Sequence, residues 1–243
     1  MHIKTNKIVS LLVSLFFIIS CGSSKKDLQL ENAFKKYLST RNIQYEKNDT
    51  IYSKYYSDFL NDETKNLIMK NPNLKANKVY VYQGGSKVIT FCVYADNGEL
   101  YVAETNKNGS AFLTEPENGK IEIKRRLELI FLGAFKLENK TIKNTRYEKT
   151  PRKEWYDCNV GIVKQDTITI VEDYRTNKYG SYKKKWLTKT LKTNYNLIYQ
   201  PALKATKFKN EFGFDSYFIE GSFNFERDLK EEKMLELINS RKY

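Results

Sequence analysis

Thiols, imidazoles and carboxylates are the side chains from which this chain would have to build chemistry, and it holds few of the first two. There are 3 cysteines, Cys21, Cys92 and Cys158, and 1 histidine, His2. His2 falls in a leader-like start that is expected to be removed, so the remaining chain would carry no imidazole. That leaves no base for a Ser-His-Asp or Cys-His nucleophile, no histidine general acid and no histidine metal ligand. Structural zinc fails as well, because Cys92 and Cys158 alone cannot fill four positions. No metal and no other cofactor is therefore expected. Catalysis would have to rest on carboxylates, tyrosine or lysine. Glycoside hydrolysis needs two acids about 5–5.5 or 6.5–9.5 Å apart. Glu104, Glu115, Glu117, Glu122, Asp157, Glu172 and Asp173 are present, but no spacing singles out a pair. The expectation is a protein that is not an enzyme.

Two other constellations stand out. Cys92 and Cys158 fall in expected strands and form a candidate disulfide in an oxidising compartment. Such a bridge would close a loop of about 66 residues and add roughly 4 kcal/mol by the chain-entropy account. The alternative is two free thiols acting as small buried apolar groups. Tyr182, Lys184 and Trp186 point one way on an expected strand, with Lys183 and Lys185 on the other side. They are candidate contacts for an anionic glycan or a lipid phosphate. The competing account is an edge strand guarded by lysines.

The third cysteine ends a distinctive start, MHIKTNKIVSLLVSLFFIISC. Lys4 and Lys7 precede an apolar run, Ile8 to Ile19, interrupted only by Ser10 and Ser14. That is the layout of a secretory signal peptide. Spanning about 30 Å of hydrocarbon takes roughly 20 apolar residues, more than this run supplies. Ile18-Ile19-Ser20-Cys21 resembles the lipobox of bacterial lipoproteins. The resemblance implies cleavage before Cys21, diacylation of its sulfur and a membrane-lipid partner for the acyl chains. Gly22 in place of an acidic residue implies the outer membrane rather than retention at the inner one. Each buried methylene contributes about 0.8 kcal/mol, so two or three chains would hold the protein firmly. Residues 1–20 are thus expected to be the signal peptide and 21–27 a lipidated tether.

The formal charge is +13, carried largely by lysines dispersed among many asparagines. A dispersed excess does not mark a nucleic-acid groove, and an envelope location argues against that partner; no nucleic acid is expected. An envelope protein or an anionic glycan fits the location better. The 18 Tyr and 14 Phe against 4 Pro indicate a folded chain.

The elements follow from periodicity. Leu30, Phe34, Tyr37 and Leu38 lie at helical spacing with Asp27 as an N-cap. Residues 45–56 read ambiguously, as a strand, and 61–70 as a short helix stopped at Asn71-Pro72. From Lys78 the period becomes two. Val79–Tyr82, Val88–Tyr94 and Leu100–Ala103, joined by Gly84-Gly85 and Asp96-Asn97-Gly98 turns, read as a meander. Strands are also expected at 121–123, 129–137 with a bend or bulge at Gly133, 155–163, 167–174, 182–188, 195–199 and 216–219. In 155–163 the set Tyr156, Cys158, Val160 and Ile162 should face the core. Leu229, Met234, Leu235, Leu237 and Ile238 suggest a C-terminal helix over 226–240.

The run Asp96-Asn97-Gly98, Gly133-Ala134-Phe135-Lys136-Leu137, Val160-Gly161-Ile162-Val163 and Asp166-Thr167-Ile168 resembles a pattern in small lipoproteins of Bacteroidota. It implies an antiparallel barrel-like or curved sheet and no particular activity. The expected fold is mainly β (α+β), one β-rich domain over 28–243 with a helical segment at 28–72. Three roles remain open: a non-catalytic envelope lipoprotein, a binding module for an anionic glycan or lipid, or a carboxylate-dependent glycan hydrolase.

Overall fold

A computed structural model describes residues 25–44, 50–84, 88–106, 110–178 and 187–225. The Cys21 anchor, the Tyr182, Lys184 and Trp186 cluster and the expected helix 226–240 lie outside the described residues. The chain divides into two compact units, Met1–Asp62 and Glu63–Tyr243.

In the first unit, helix α1 (Lys25–Thr40) presents Phe34 and Leu38 as its buried stripe, with Asp27 in its first turn. Helix α2 spans Thr50–Met69, its final turns belonging to the second unit. Phe34 packs against Phe59 at 5.3 Å and edge-on against Tyr56 at 5.0 Å. These contacts explain why the expected strand over 45–56 is, from Thr50 on, helix. Tyr55, Tyr56 and Phe59 recur at helical spacing and feed one aromatic cluster, which overrides the β preference of each ring taken singly. Arg41 lies 3.9 Å over the Tyr37 ring and pairs with Asp62 at 2.8 Å.

The second unit is mainly β. Its strands are β1 (Val79–Tyr82), β2 (Val88–Tyr94), β3 (Glu99–Asn106), β4 (Lys120–Glu122), β5 (Leu127–Glu138) and β6 (Thr141–Thr150). They continue as β7 (Lys153–Lys164), β8 (Thr167–Thr176), β9 (Leu187–Tyr199), β10 (Leu203–Lys209) and β11 (Asp215–Asn224). Eight of them, in the order β5-β3-β2-β1-β9-β8-β7-β6, close into an antiparallel barrel because β6 pairs back onto β5. β11 extends the sheet from β5, with β10 and β4 beside it. Strand β10 had no expected counterpart, since its alternating lysines disguise it.

The turns are those the residues favour. Gly98 takes φ +86° between β2 and β3, and Asn139 and Gln165 take the left-handed conformation between β5 and β6 and between β7 and β8. Gly133 stands at a register shift where β3 meets β5, Leu100 pairing with Gly133 and Tyr101 with Phe131. The bulge there bends β5, so that its first half serves β3 and β11 and its second half β6.

Strands β1 to β3 carry a core on each face. Outside the barrel, Val79, Val81, Phe91 and Val93 pack with Ile121, Leu129, Leu203, Ile219 and Phe223. Inside, Tyr80, Cys92, Tyr94 and Leu100 pack with Phe135, Leu137, Ile142, Val163, Ile168, Ile170 and Leu197, joined by Ile68 and Leu74. Tyr94 meets Tyr80 edge-on at 5.9 Å and Phe135 at 5.1 Å. Each such side chain contributes about 1.5–3 kcal/mol on burial. Much of the interior is therefore a packed core.

One face assignment is corrected. On β7 the inward positions are Val163, Gly161 and Asn159, as shown by pairing of Ile142 with Gly161 and Asn144 with Asn159. A Cβ on Gly161 would point at Ile142 Cγ2 and Ile170 Cδ1, each 2.9 Å away. Tyr156, Cys158, Val160 and Ile162 do share a face, but it is the outer one, and Ile162 is 41% exposed. The interior cannot take larger residues at 161, and beyond it the inward positions are polar.

Candidate functional site

Going from the apolar end of the barrel toward the turn that joins β6 to β7, the inward side chains change in layers. The register places Leu137, Ile142, Gly161, Ile170 and Tyr195 in one row. The next row is Phe135, Asn144, Asn159, Asp173 and Leu191. The row after that is Arg146, Asp157 and Arg175. Two polar layers thus stand on an aromatic and aliphatic floor. They line a cleft of about 370 Å³, with Leu100, Leu132 and Leu191 as its apolar walls. This is within the size range of sites for small ligands.

The outer layer is internally neutralised. Asp157 accepts from Arg175 Nε at 2.8 Å and Nη2 at 3.4 Å, and from the Trp155 indole N–H at 3.1 Å. The Arg175 guanidinium also lies 4.8 Å over the Trp155 ring. Burial alone would raise the Asp157 carboxyl, but the hydrogen bonds from Arg175 and Trp155 and the charges of Arg175 and Arg146 hold it below its ordinary value. The same Asp157 contact raises Arg175. Arg146 is ion-paired with Glu148.

The inner layer is not neutralised. Asn144, 5% exposed, donates through Nδ2 to Asn159 Oδ1 at 2.7 Å and to the Tyr94 hydroxyl at 3.2 Å. Its Oδ1 is buried and has no hydrogen-bond partner among the described residues. Asp173 is half-buried, and desolvation raises its carboxyl above the ordinary value. Burial likewise pushes Tyr94 far up, so its hydroxyl stays protonated.

A second groove lies between Tyr101, Phe131 and the β10–β11 turn with Phe214. Its polar groups are paired: Asp215 with Lys207 and Lys209, and Tyr101 with Glu99. The barrel cleft is the better candidate because it alone of the two contains a buried polar atom left open.

Of the residues singled out earlier, Cys92 and Cys158 are both buried and free, so the candidate disulfide is not formed. The reason is topological. Cys92 belongs to the interior cluster, whereas Cys158 lies on the outer face between Thr145 of β6 and Tyr174 of β8, so the barrel wall separates the two sulfurs. Burial pushes the Cys92 thiol up to about 12 and raises Cys158 as well, which makes both poor nucleophiles. Among the seven acids considered, the cleft brings together Asp157 and Asp173; Glu172 pairs with Lys192 at 2.9 Å. Asn144, Asn159, Arg146 and Arg175 were missed. Period two on β6, β7 and β8 groups them on one face, but a polar face normally reads as the solvent face. Among the described residues no three His, Cys, Asp or Glu come together as metal ligands. Compared with known proteins, the chain matches no family model, no curated protein and no solved structure.

Proposed function

We propose that this is a lipid-anchored protein of the bacterial cell envelope, held at the outer membrane by acyl chains on Cys21, whose barrel acts as a non-catalytic binding module. The observation that carries the binding role is the change of the barrel interior from packed and apolar to open and polar at one end, with a buried acceptor left without a donor. The non-catalytic reading is supported by Asp157, whose two oxygens are taken by Arg175 and Trp155, and by the absence of histidine beyond position 2. Support for the anchor is the basic, apolar, Ile-Ile-Ser-Cys start of the sequence. Cys21→Ser tests it: the native chain incorporates labelled palmitate and sediments with envelopes, and the variant does neither. Equal behaviour of the two chains removes the anchor from the account.

A second reading, a carboxylate-dependent hydrolase of envelope glycan, has one observation in its favour. Asp157 and Asp173 share a cleft and are displaced in opposite directions, the arrangement by which one acid stays ionised while another keeps its proton. They project from neighbouring strands of one sheet and do not face each other across the cleft. Peptidoglycan turnover that disappears in Asp173→Asn would establish this reading, and no turnover by the native chain would end it. The anionic-ligand reading draws on the overall positive charge and on Tyr182, Lys184 and Trp186, which lie outside the described residues.

A further inference from the structure

Two acceptors in the inner layer of the cleft have no donor among the described residues, Asn144 Oδ1 and the Asp173 carboxylate. Both amide hydrogens of Asn144 are committed, to Tyr94 and Asn159, while its Oδ1 has none of its own. Leaving such an atom buried and unmatched costs a protein more than the mean hydrogen bond contributes, so it marks a place where something else supplies the donor. Asn159 uses its Oδ1 to receive Asn144. Asp173, next in the same row, makes no hydrogen bond or ion pair among the described residues. Among the described residues the charges in the next layer pair off: Asp157 with Arg175, and Arg146 with Glu148. Among the described residues that leaves the Asp173 carboxylate without an ion-pair partner.

We infer that the row Asn144, Asn159 and Asp173 recognises a primary ammonium group carried on a short aliphatic body. The inference rests on the binding role proposed above and adds the chemistry of the ligand. An ammonium brings three N–H donors and a compact positive charge. It can therefore serve the Asn144 carbonyl oxygen and the Asp173 carboxylate alike. A carboxylate or phosphate would set a second negative charge beside Asp173 and bring no donor for Asn144 Oδ1. A neutral alcohol brings one donor and no charge. Leu100, Leu132 and Leu191 supply the wall against which an alkyl chain would lie. Desolvation at Asp173 acts in the same sense, because a cation beside it restores the stabilisation that burial removed.

Three probes on one carbon skeleton, n-butylamine, 1-butanol and butyrate, test this at neutral pH with the full chain in detergent. The readout is the side-chain amide resonances of Asn144 and Asn159, assigned by their loss in Asn144→Leu and Asn159→Leu. The amine is expected to shift them along a saturating curve, butanol to bind at least tenfold more weakly, and butyrate not to bind. Asp173→Asn, which keeps the shape, is expected to weaken the amine at least tenfold and leave butanol unchanged, with unaltered near-ultraviolet circular dichroism as the folding control. Butanol or butyrate binding as tightly as the amine, or amine binding indifferent to Asp173→Asn, overturns the ammonium inference and leaves the cleft a binding site. No shift with any probe overturns both.

Discussion

Closure of the barrel depends on a short seam, and one added methyl group should open it. β5 and β6 are joined over five residue pairs, from Ala134 with Thr145 to Glu138 with Thr141. Gly133 lies at the head of that seam. A Cβ placed there would sit 2.3 Å from the Thr145 carbonyl oxygen and 3.1 Å from its carbon. A carbon–oxygen contact ordinarily needs about 3.3 Å or more, so backbone must move by roughly 1 Å, and no flexible side chain can yield instead. Overpacking of this sort costs about 1–3 kcal/mol, and each ladder bond lost from the seam adds about 0.5–1.5 kcal/mol. Against this, alanine restricts the unfolded chain and returns about 0.4–1 kcal/mol. Gly133→Ala should therefore lose about 2–3 kcal/mol. For a protein of this size that is a fall in Tm of roughly 4–12 °C, read by circular dichroism during heating. Gly213→Ala is the comparison: it has φ +79° but nothing within 4 Å of the added carbon, so only backbone strain of about 1–2 kcal/mol applies. If Gly133→Ala melts at or above the native temperature, or loses less than Gly213→Ala, the seam does not govern closure.

Three further outcomes follow from the cleft and the thiols. The Asp157 carboxyl is held low in the folded state, so its contribution is present above the ordinary carboxylate range and lost as pH falls through the folded value; Asp157→Asn should lower the urea midpoint at pH 7 and converge on the native chain below about pH 3.9. Asp173 is raised, so its contribution is full at low pH and lost as pH rises through the folded value; Asp173→Asn should raise the midpoint at pH 7 and not at pH 3. Shifts of the same sign at pH 7 would contradict the two environments. In the Cys21→Ser chain, a thiol reagent should find no reactive cysteine in the native protein and two in denaturant without reductant; two thiols appearing only after reduction would mean that Cys92 and Cys158 do bridge.

The hairpins were legible because their causes are local. Asn97-Gly98 supplies the positive φ its turn needs, and the period of two in Val79–Tyr82 and Val88–Tyr94 survives into β1 and β2. The barrel-like sheet that the lipoprotein resemblance implied is the one that forms, but the pairing that closes it was not legible: β1 meets β9, Tyr80 with Tyr199, across most of the second unit. No short-range pattern encodes that pairing. The helix starting at Thr50 was misread for a related reason. Its rings favour a strand individually, and only the packing of Tyr56 and Phe59 on Phe34 decides for helix.

The cleft escaped notice for the opposite reason: a sound rule was applied to a place that breaks it. On β7 the alternating set Tyr156, Cys158, Val160 and Ile162 is the more apolar, and burial energetics alone would turn it inward. The chain instead turns inward Trp155, Asp157, Asn159, Gly161 and Val163, accepting the desolvation of an amide and a carboxylate. Part of that cost is offset within the outer layer, where Arg175 and Trp155 saturate Asp157. In the inner layer nothing among the described residues offsets it, since Asn144 Oδ1 stays unmatched and Asp173 unpaired there. A barrel that needed only to be stable could have filled these positions with the valine and isoleucine it leaves outside. Local rules in folded proteins are most often broken where function requires it. The inverted face of β7 is therefore the strongest argument that this end of the barrel exists to hold something.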